Sequence, residues 1–392
     1  MEIDHGEYPS ELNCSDNPAG HTSVAALFNQ TDPEYLIYQY SYVAILLVGA
    51  SFGISLNSIL LVHLIYRLNK EPRALEFMII QLSFSHLMVS IFCLLGDGIW
   101  NATVQWYGGD ALCRTMKYLQ MFSLYSATLL LTGMSIEGCI TVTFPLTKSS
   151  RPDTLHRVRI ASAVCWSLAA LGSIPQAVIF HVKKAPVCEE FYQCVTHGSY
   201  ISHTQEIAYT MATLCLMCIL PLLVDIVCYV IIFIKITDES KIASGHSSRR
   251  PSKSPHEAPL DVPRRLTRGT LAFKHARRVS LWMTFITALN FIISWVPYYI
   301  AMFAHLFHWT LSHDTLSSIF CIGMSYSITS PVIFGCFLLW GDHHSVTQHA
   351  PSRPISKTGL LVHSRYTYPA GQRSPELSVE LRSREPLPRP KH

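Results

Sequence analysis

The chain has 392 residues and a formal net charge of +4, but only 14% are Asp, Glu, Lys or Arg, against roughly 25% in soluble domains. Hydrophobic residues make up 49% and the mean hydropathy is +0.26, which is too apolar for a disordered chain. Collagen and coiled coils are excluded because Gly numbers only 19 and no heptad pattern persists. The composition therefore predicts an all-α, polytopic membrane protein.

The N-terminal segment, residues 1–38, is acidic. Through residue 41 the chain contains seven Asp or Glu residues and no Lys or Arg. No basic region precedes a short apolar stretch, so we expect no cleavable signal peptide. The first membrane span is then expected to act as its own insertion signal.

Seven apolar runs follow, each long enough to cross about 30 Å of hydrocarbon. We number them spans 1 to 7 in chain order, and they cover residues 39–65, 75–96, 112–143, 158–180, 207–236, 276–304 and 315–339. Several contain proline, which spanning helices tolerate when neighbours satisfy the freed backbone groups. The runs predict a seven-transmembrane helix bundle over residues 39–340.

The basic residues predict the orientation of this bundle. Of the 30 Lys and Arg residues, 26 lie in or beside the loops that follow spans 1, 3 and 5, or in the C-terminal tail. The positive-inside rule places these segments in the cytosol. We therefore expect an extracellular N-terminus and a cytosolic C-terminus.

The predicted outer side carries glycosylation and disulfide signals. Three sequons begin at Asn13, Asn29 and Asn101, and we expect these residues to be glycosylated. Eight of the twelve cysteines fall within spans, where they behave as small apolar residues. Four cysteines in an oxidising compartment allow three disulfide pairings. These four are Cys14, Cys113, Cys188 and Cys194.

Two segments on the predicted cytosolic side are rich in Ser, Pro and basic residues. They are the third cytosolic loop, residues 237–272, and the tail, residues 341–392. Neither has enough apolar residues to bury a core, so both are predicted to be disordered.

Signatures of enzymes are absent from the sequence. There is no Gly-rich phosphate loop, no His-Glu-x-x-His and no nucleophile elbow. The nineteen histidines lack the spacing of a metal site. A transporter would show inverted repeats or facing charges at mid-membrane. We expect a protein that is not an enzyme, that lies in the lipid bilayer, and that has no metal ion, cofactor or nucleic-acid partner.

Landmarks in successive spans resemble those of rhodopsin-like G-protein-coupled receptors. A Cys opens span 3 and another lies between spans 4 and 5, as in that family. Any one landmark is weak, but their order along the chain is specific. The remaining landmarks are Asn57, Trp166, Pro221, Tyr229, Trp295, Pro297, Ser330 and Pro331.

A narrower resemblance lies at the predicted extracellular face. The runs GDGIWNATVQWY at 96–107, GDALC at 109–113 and FYQCVTH at 191–197 closely resemble gonadotropin-releasing hormone receptors and their adipokinetic-hormone and corazonin relatives. The resemblance covers about residues 42–340. It implies a disulfide between Cys113 and Cys194, which leaves Cys14 and Cys188 as a possible second pair.

The resemblance also implies a ligand. This family binds short peptides, blocked by pyroglutamate and by an amide, within the bundle. One carboxylate can accept charge-assisted hydrogen bonds and aromatic rings supply apolar contact area. Gln120 stands where the vertebrate receptors have a ligand-contacting Lys. The ligand-binding residues carried over by position are Asp97, Trp100, Asn101, Gln120, Trp295, Tyr298, Tyr299 and His305.

The predicted cytosolic face departs from the family pattern. The Asp-Arg-Tyr triplet at the end of span 3 is replaced by Glu137, Gly138 and Cys139, and His86 replaces the usual span 2 carboxylate. An unpaired, ionised Glu137 at that depth would be costly, so we expect Glu137 either to be protonated or to pair with a cation from Arg157, Arg159, Lys274, Arg277 or Arg278. The positions implied to form the switch and G-protein contact are Glu137, Gly138, Tyr229, Pro297, Ser330, Pro331 and Phe334.

The sequence thus predicts a plasma-membrane receptor for a small amidated neuropeptide hormone of the gonadotropin-releasing hormone or adipokinetic hormone type. The family implies signalling through a heterotrimeric G protein, by the phospholipase C and calcium route. The alternative is a seven-helix peptide-binding protein with weak or no coupling, such as a decoy or heteromer partner. A transporter or channel is a third interpretation.

Overall fold

The computed structural model describes residues 33–144, 151–184, 190–248, 264–306 and 313–349. The predicted glycosylation sites Asn13 and Asn29 and the possible disulfide pair Cys14 and Cys188 lie outside these ranges. So do nearly all of the N-terminal segment and most of the tail. The chain divides into two units, Met1–Thr347 and Gln348–His392; the first holds the bundle, and the described residues of the second are Gln348 and His349.

Seven helices in the described ranges are long and apolar enough to cross a membrane, which confirms the predicted fold class. Their bounds are Pro33–Lys70 for span 1, Ala74–Thr103 for span 2, Gly109–Thr143 for span 3, Arg151–Ile179 for span 4, His203–Ser248 for span 5, Arg264–Leu306 for span 6 and His313–His349 for span 7. Span 7 is interrupted at Ser325, between His313–Met324 and Tyr326–His349.

Spans 5, 6 and 7 extend into segments that the sequence assigned to disorder. Span 5 continues to Ser248 and span 6 begins at Arg264, so both ends of the predicted 237–272 loop are helical. Span 7 likewise continues to His349, past the predicted start of the tail at 341. The added residues contain no proline, so no residue type that breaks a helix interrupts the continuation.

The outer faces of the spans are apolar. Ile59, Val178 and Phe233, from three different spans, are all exposed in the isolated chain. Soluble proteins rarely expose so many large apolar side chains together, whereas lipid tails accommodate them. The chain is therefore a multi-pass membrane protein.

Buried polar side chains join the helices on their inner faces. Asn57 of span 1 donates from Nδ2 to the Ser327 carbonyl of span 7 at 2.9 Å. Trp166 of span 4 donates from Nε1 to Oε1 of Gln81 in span 2, also at 2.9 Å. Span 3 packs against spans 2, 4, 5 and 6, so its residues reach most of the interior.

Spans 2 and 5 each contain a short π-helical stretch. These stretches are Ser90–Leu95 and Cys215–Ile219. A π-helical turn inserts an extra residue and rotates the following turn about the helix axis. Asp97 and Trp100 follow the first stretch directly, so it sets the direction in which both side chains point.

One end of the bundle is closed by a disulfide and a hairpin, and we refer to it as the disulfide end. Strand β1, His181–Lys184, pairs antiparallel with β2, Tyr192–Val195. Cys113 in the first turn of span 3 is bonded to Cys194 of β2, and both residues are fully buried. This bond confirms the pairing that the family resemblance implied. We refer to the opposite end, which holds Glu137, as the Glu137 end.

Gln193 of β2 connects this hairpin to the loop between spans 2 and 3. Its Oε1 accepts from Nε1 of Trp100 at 3.1 Å, and its Nε2 donates to the Val104 carbonyl. Val104 has a φ of 61°, in a turn closed by a bond from the Gln105 N–H to the Thr103 carbonyl at 2.6 Å. Positive φ is unfavourable for a β-branched residue, so the surrounding bonds must hold this turn in place.

Replacement of Gln193 by Ala is expected to lower the thermal stability of the purified receptor. The change leaves the buried Trp100 N–H without its acceptor, and an unsatisfied buried donor costs about 1–3 kcal/mol. Gln105→Ala is the matched control, because its side chain makes an exposed bond to the Glu190 carbonyl. Thermal unfolding in detergent measures both, and equal shifts would contradict the assigned role of Gln193.

Candidate functional site

A carboxylate lies inside the disulfide end, between spans 2 and 3. Oδ1 of Asp97 accepts a hydrogen bond of 2.7 Å from Nε2 of Gln120. The same nitrogen donates to the Phe92 carbonyl at 2.9 Å, within the π-helical stretch of span 2. Gln120 therefore fixes the position of Asp97 and ties the two spans together.

Lys117 adds a cation to this group, and the sequence analysis did not select it. Its Nζ lies 3.0 Å from Oε1 of Gln120 and 3.8 Å from Oδ1 of Asp97. Its side chain is only 9% exposed and lies against the rings of Trp100 and Phe180. Residues three apart share one face of a helix, so the spacing of Lys117 and Gln120 was a usable signal.

Trp100 and Asn101 are mainly packing residues. Trp100 is buried with the disulfide and lies edge-to-face with Trp106, at 5.4 Å between ring centroids. Asn101 is 6% exposed, and its Nδ2 donates to the Asp97 carbonyl at 2.7 Å. A glycan needs that nitrogen free on the surface. The geometry therefore argues against glycosylation at Asn101.

The predicted aromatic residues of span 6 form a second group. Trp295 lies 5.8 Å from Tyr298 and 6.1 Å from Tyr299, measured between ring centroids. The three residues line an open cavity of about 100 Å³ between spans 3, 5, 6 and 7. The side chain of His305 lies outside the described part of the chain.

Span 3 connects the two groups. Lys117 and Gln120 contact Asp97, and Met121 and Leu124 line the aromatic cavity. A short stretch of span 3 thus presents a cation, an amide and an apolar wall. This arrangement can hold a ligand that has both polar and aromatic groups.

At the Glu137 end, the predicted carboxylate has a cation from span 4. Arg157 donates from Nε to Oε2 of Glu137 at 3.0 Å and from Nη2 to Oε1, which makes the pair bidentate. Among the predicted candidates, the structure selects Arg157. Arg278 of span 6 is exposed, and the side chains of Lys274 and Arg277 lie outside the described part.

Gly138 lies opposite an apolar cluster. A Cβ at this position would make ordinary contacts, 3.5 Å from Leu281 of span 6 and 3.8 Å from Ile232 of span 5. Both residues belong to a buried cluster with Val142. Spans 3, 5 and 6 therefore meet here through hydrocarbon, at the position where the family pattern has a cation.

The other predicted switch residues are buried or lie within helices. Tyr229 accepts from the Ser135 hydroxyl at 3.3 Å, so spans 3 and 5 are linked. Ser330 is fully buried and donates to the Tyr326 carbonyl at 2.7 Å, and Phe334 is fully buried in the main core. Pro297 and Pro331 lie inside their helices.

The middle of the bundle holds two buried ionisable groups without an ion partner in the described ranges. His86 is fully buried, and its ring lies edge-to-face with that of Tyr326 at 4.9 Å. Asp225 of span 5 is 3% exposed, and its Oδ1 has no hydrogen-bond partner among the described residues. The part of the chain that the structure describes contains no cluster of metal-binding side chains.

Sequence comparisons identify relatives with the same architecture. Residues 57–334 match the family described as 7 transmembrane receptor (rhodopsin family). The gonadotropin-releasing hormone receptor of Octopus vulgaris is 30% identical over 328 residues, which are 83% of this chain and 78% of the relative. The gonadotropin-releasing hormone II receptor of Clarias gariepinus is 33% identical over 267 residues, covering 66% of this chain and 65% of the relative.

Removal of the cation that pairs with Glu137 is expected to destabilise the bundle. Arg157→Met leaves a mostly buried carboxylate unpaired, and breaking such a pair on one side costs about 3–5 kcal/mol when burial is complete. The pair is partly exposed, so we expect a smaller loss of thermal stability.

The double variant Arg157→Met, Glu137→Gln is the control for this prediction. It removes both charges and is expected to recover most of the lost stability, measured as the unfolding temperature in detergent. Glu137→Gln alone is measured as well. If the stability lost by the double variant equals the sum of the losses in the two single variants, the pair does not stabilise the fold.

Proposed function

We propose that this chain, which belongs to the rhodopsin family of seven-transmembrane receptors and is related to gonadotropin-releasing hormone receptors, binds a small amidated peptide hormone. It is a receptor rather than an enzyme, and a multi-pass protein of the plasma membrane. Its proposed partner on the other side of the membrane is a heterotrimeric G protein, which acts through phospholipase C and calcium.

The observation that carries this proposal is the geometry of the disulfide end. Asp97, Gln120 and Lys117 form a polar group that is mostly buried, and an aromatic cavity opens beside the same stretch of span 3. A short blocked peptide offers carbonyl and amide groups to the first and apolar side chains to the second. Asp97, Gln120, Trp295, Tyr298 and Tyr299 are the proposed contact residues.

The disulfide end is proposed to face outward. Of the 30 Lys and Arg residues, 26 lie in the connecting segments and adjoining helix ends on the Glu137 side or in the tail, which favours a cytosolic location. The bond between Cys113 and Cys194 lies at the opposite end, and disulfides persist in the oxidising extracellular compartment. The ligand would then enter from outside, and the G protein would bind at the Glu137 end.

A specific observation favours the second candidate, a peptide-binding protein with weak coupling. The position of Gly138 lacks a cation, and apolar side chains of spans 5 and 6 pack beside it. Glu137 is paired with span 4, so among the described contacts it does not connect span 3 to span 6. The G-protein contact would then depend on other residues.

The functional assignment is tested by calcium imaging of transfected cells against a panel of amidated neuropeptides. A saturable response to one peptide, absent from untransfected cells, supports the receptor. Binding of a radiolabelled peptide without any calcium or cyclic AMP response favours the second candidate. Absence of both binding and response across the panel would contradict the proposed ligand class.

Asp97→Ala is expected to weaken peptide binding by roughly 1.5–3 kcal/mol, about ten- to a hundredfold, because a hydrogen bond to a charged group is lost. Because this change also leaves Lys117 without its carboxylate, the affinity is measured per receptor present at the cell surface. Glu190→Gln is the matched control, because it removes an exposed acid near the same end. Unchanged affinity for Asp97→Ala in a displacement assay would remove Asp97 from the binding site.

Gly138→Arg is expected to raise the agonist response at equal surface expression, because it restores the cation that the family pattern places there. The first atom of the side chain fits without a clash. Gly138→Gln matches the new side chain in polarity and approximate length without the charge, and should leave the response unchanged. A strong wild-type response that Gly138→Arg does not alter would show that coupling uses other contacts.

A further inference from the structure

We infer that Lys117 makes the peptide site selective for charge: it neutralises Asp97, so that the site accepts a neutral polar group of the ligand and rejects a cationic one. The inference rests on the proposed function, because it concerns the same site. It assigns a specificity role to a residue outside the expected ligand-binding set.

The position of Lys117 requires a compensating charge. The amine is largely removed from solvent, and a buried unpaired cation is costly. Asp97 is the carboxylate within 4 Å among the described residues, and Gln120 bridges the two by accepting from Lys117 and donating to Asp97. The rings of Trp100 and Phe180 occupy the remaining sides, at 4.6 and 5.4 Å from Nζ.

The charges of Asp97 and Lys117 cancel, so a ligand meets a site with no net charge. A cationic group approaching Asp97 would meet a carboxylate that is already paired, and would lie close to a second cation. A neutral amide meets no such repulsion. Asp97 is 16% exposed, and no described residue donates to its Oδ2, so that oxygen can accept from a ligand N–H.

The first experiment needs no ligand. Lys117→Met leaves Asp97 without its cation, and is expected to lower the unfolding temperature of the purified receptor. The double variant Lys117→Met, Asp97→Asn should recover most of this loss. Asp97→Asn alone completes the comparison. If the change in unfolding temperature of the double variant equals the sum of the changes in the two single variants, Lys117 does not neutralise Asp97 and the inference is overturned.

The second experiment measures selectivity. The probes are the agonist found in the calcium panel and a set of analogues, each with one residue replaced by Lys. The measured quantity is the affinity of each Lys-containing analogue divided by the affinity of the parent agonist. For at least one analogue, this ratio is expected to be about tenfold or more higher in Lys117→Met than in the wild type. Lys117→Arg should keep the wild-type ratio, as should Lys184→Met, which removes an exposed cation of β1.

The outcomes separate the inference from the proposed function. If Asp97→Ala weakens binding but no analogue changes its ratio in Lys117→Met, the peptide site stands and its charge selectivity by Lys117 is wrong. If Asp97→Ala leaves binding unchanged, the peptide does not use this site and both proposals fail. A changed ratio in Lys184→Met as well would show a general surface effect, and would also overturn the inference.

Discussion

An ion inside a membrane bundle is stabilised by a nearby compensating group, because the low-dielectric interior makes an isolated ion costly. Three ion pairs of the described residues follow this constraint: Asp97 with Lys117, Glu137 with Arg157, and Glu76 with Arg67. Each pair joins two different spans, so the pairs also fix how neighbouring helices contact each other. Asp225 differs from them, because its carboxyl group is buried without an ion partner in the described ranges.

The sequence predicted the spans well, because length and hydropathy are local properties of the chain. It did not predict the ends of spans 5, 6 and 7, where the helices continue into polar residues that hydropathy does not mark. Asp97, Gln120 and the aromatic residues of span 6 were found by resemblance, whereas Lys117 was missed because its role depends on contacts across two spans. The π-helical stretch that rotates Asp97 also leaves no clear mark in the sequence.

The two ends of the bundle have diverged to different extents. At the disulfide end, Gln193, Trp100 and the disulfide hold the loops together, and the polar group at Asp97 retains both a carboxylate and a cation. At the Glu137 end, the carboxylate pairs with span 4, and apolar contacts join spans 3, 5 and 6 beside Gly138. Different physical forces therefore stabilise the two ends of the bundle.

Span 6 is the physical link between these ends. Trp295 lines the aromatic cavity and Leu281 packs beside Gly138, about 21 Å along the same helix. Pro297 lies next to Trp295 and lacks a backbone donor, which makes a bend at this level less costly. Outward movement of span 6 that admits water at the Glu137 end would expose apolar side chains such as Leu281 and Ile232 to that water, at about 1.5–3 kcal/mol for each that is fully exposed. The two side chains together contribute about 3–6 kcal/mol. This is comparable to the roughly 5.5 kcal/mol by which a ligand must favour one of two states to change their ratio from 1:99 to 99:1. An apolar contact can thus hold the resting state without the usual arginine, provided that the ligand binds the open state more tightly by a similar amount.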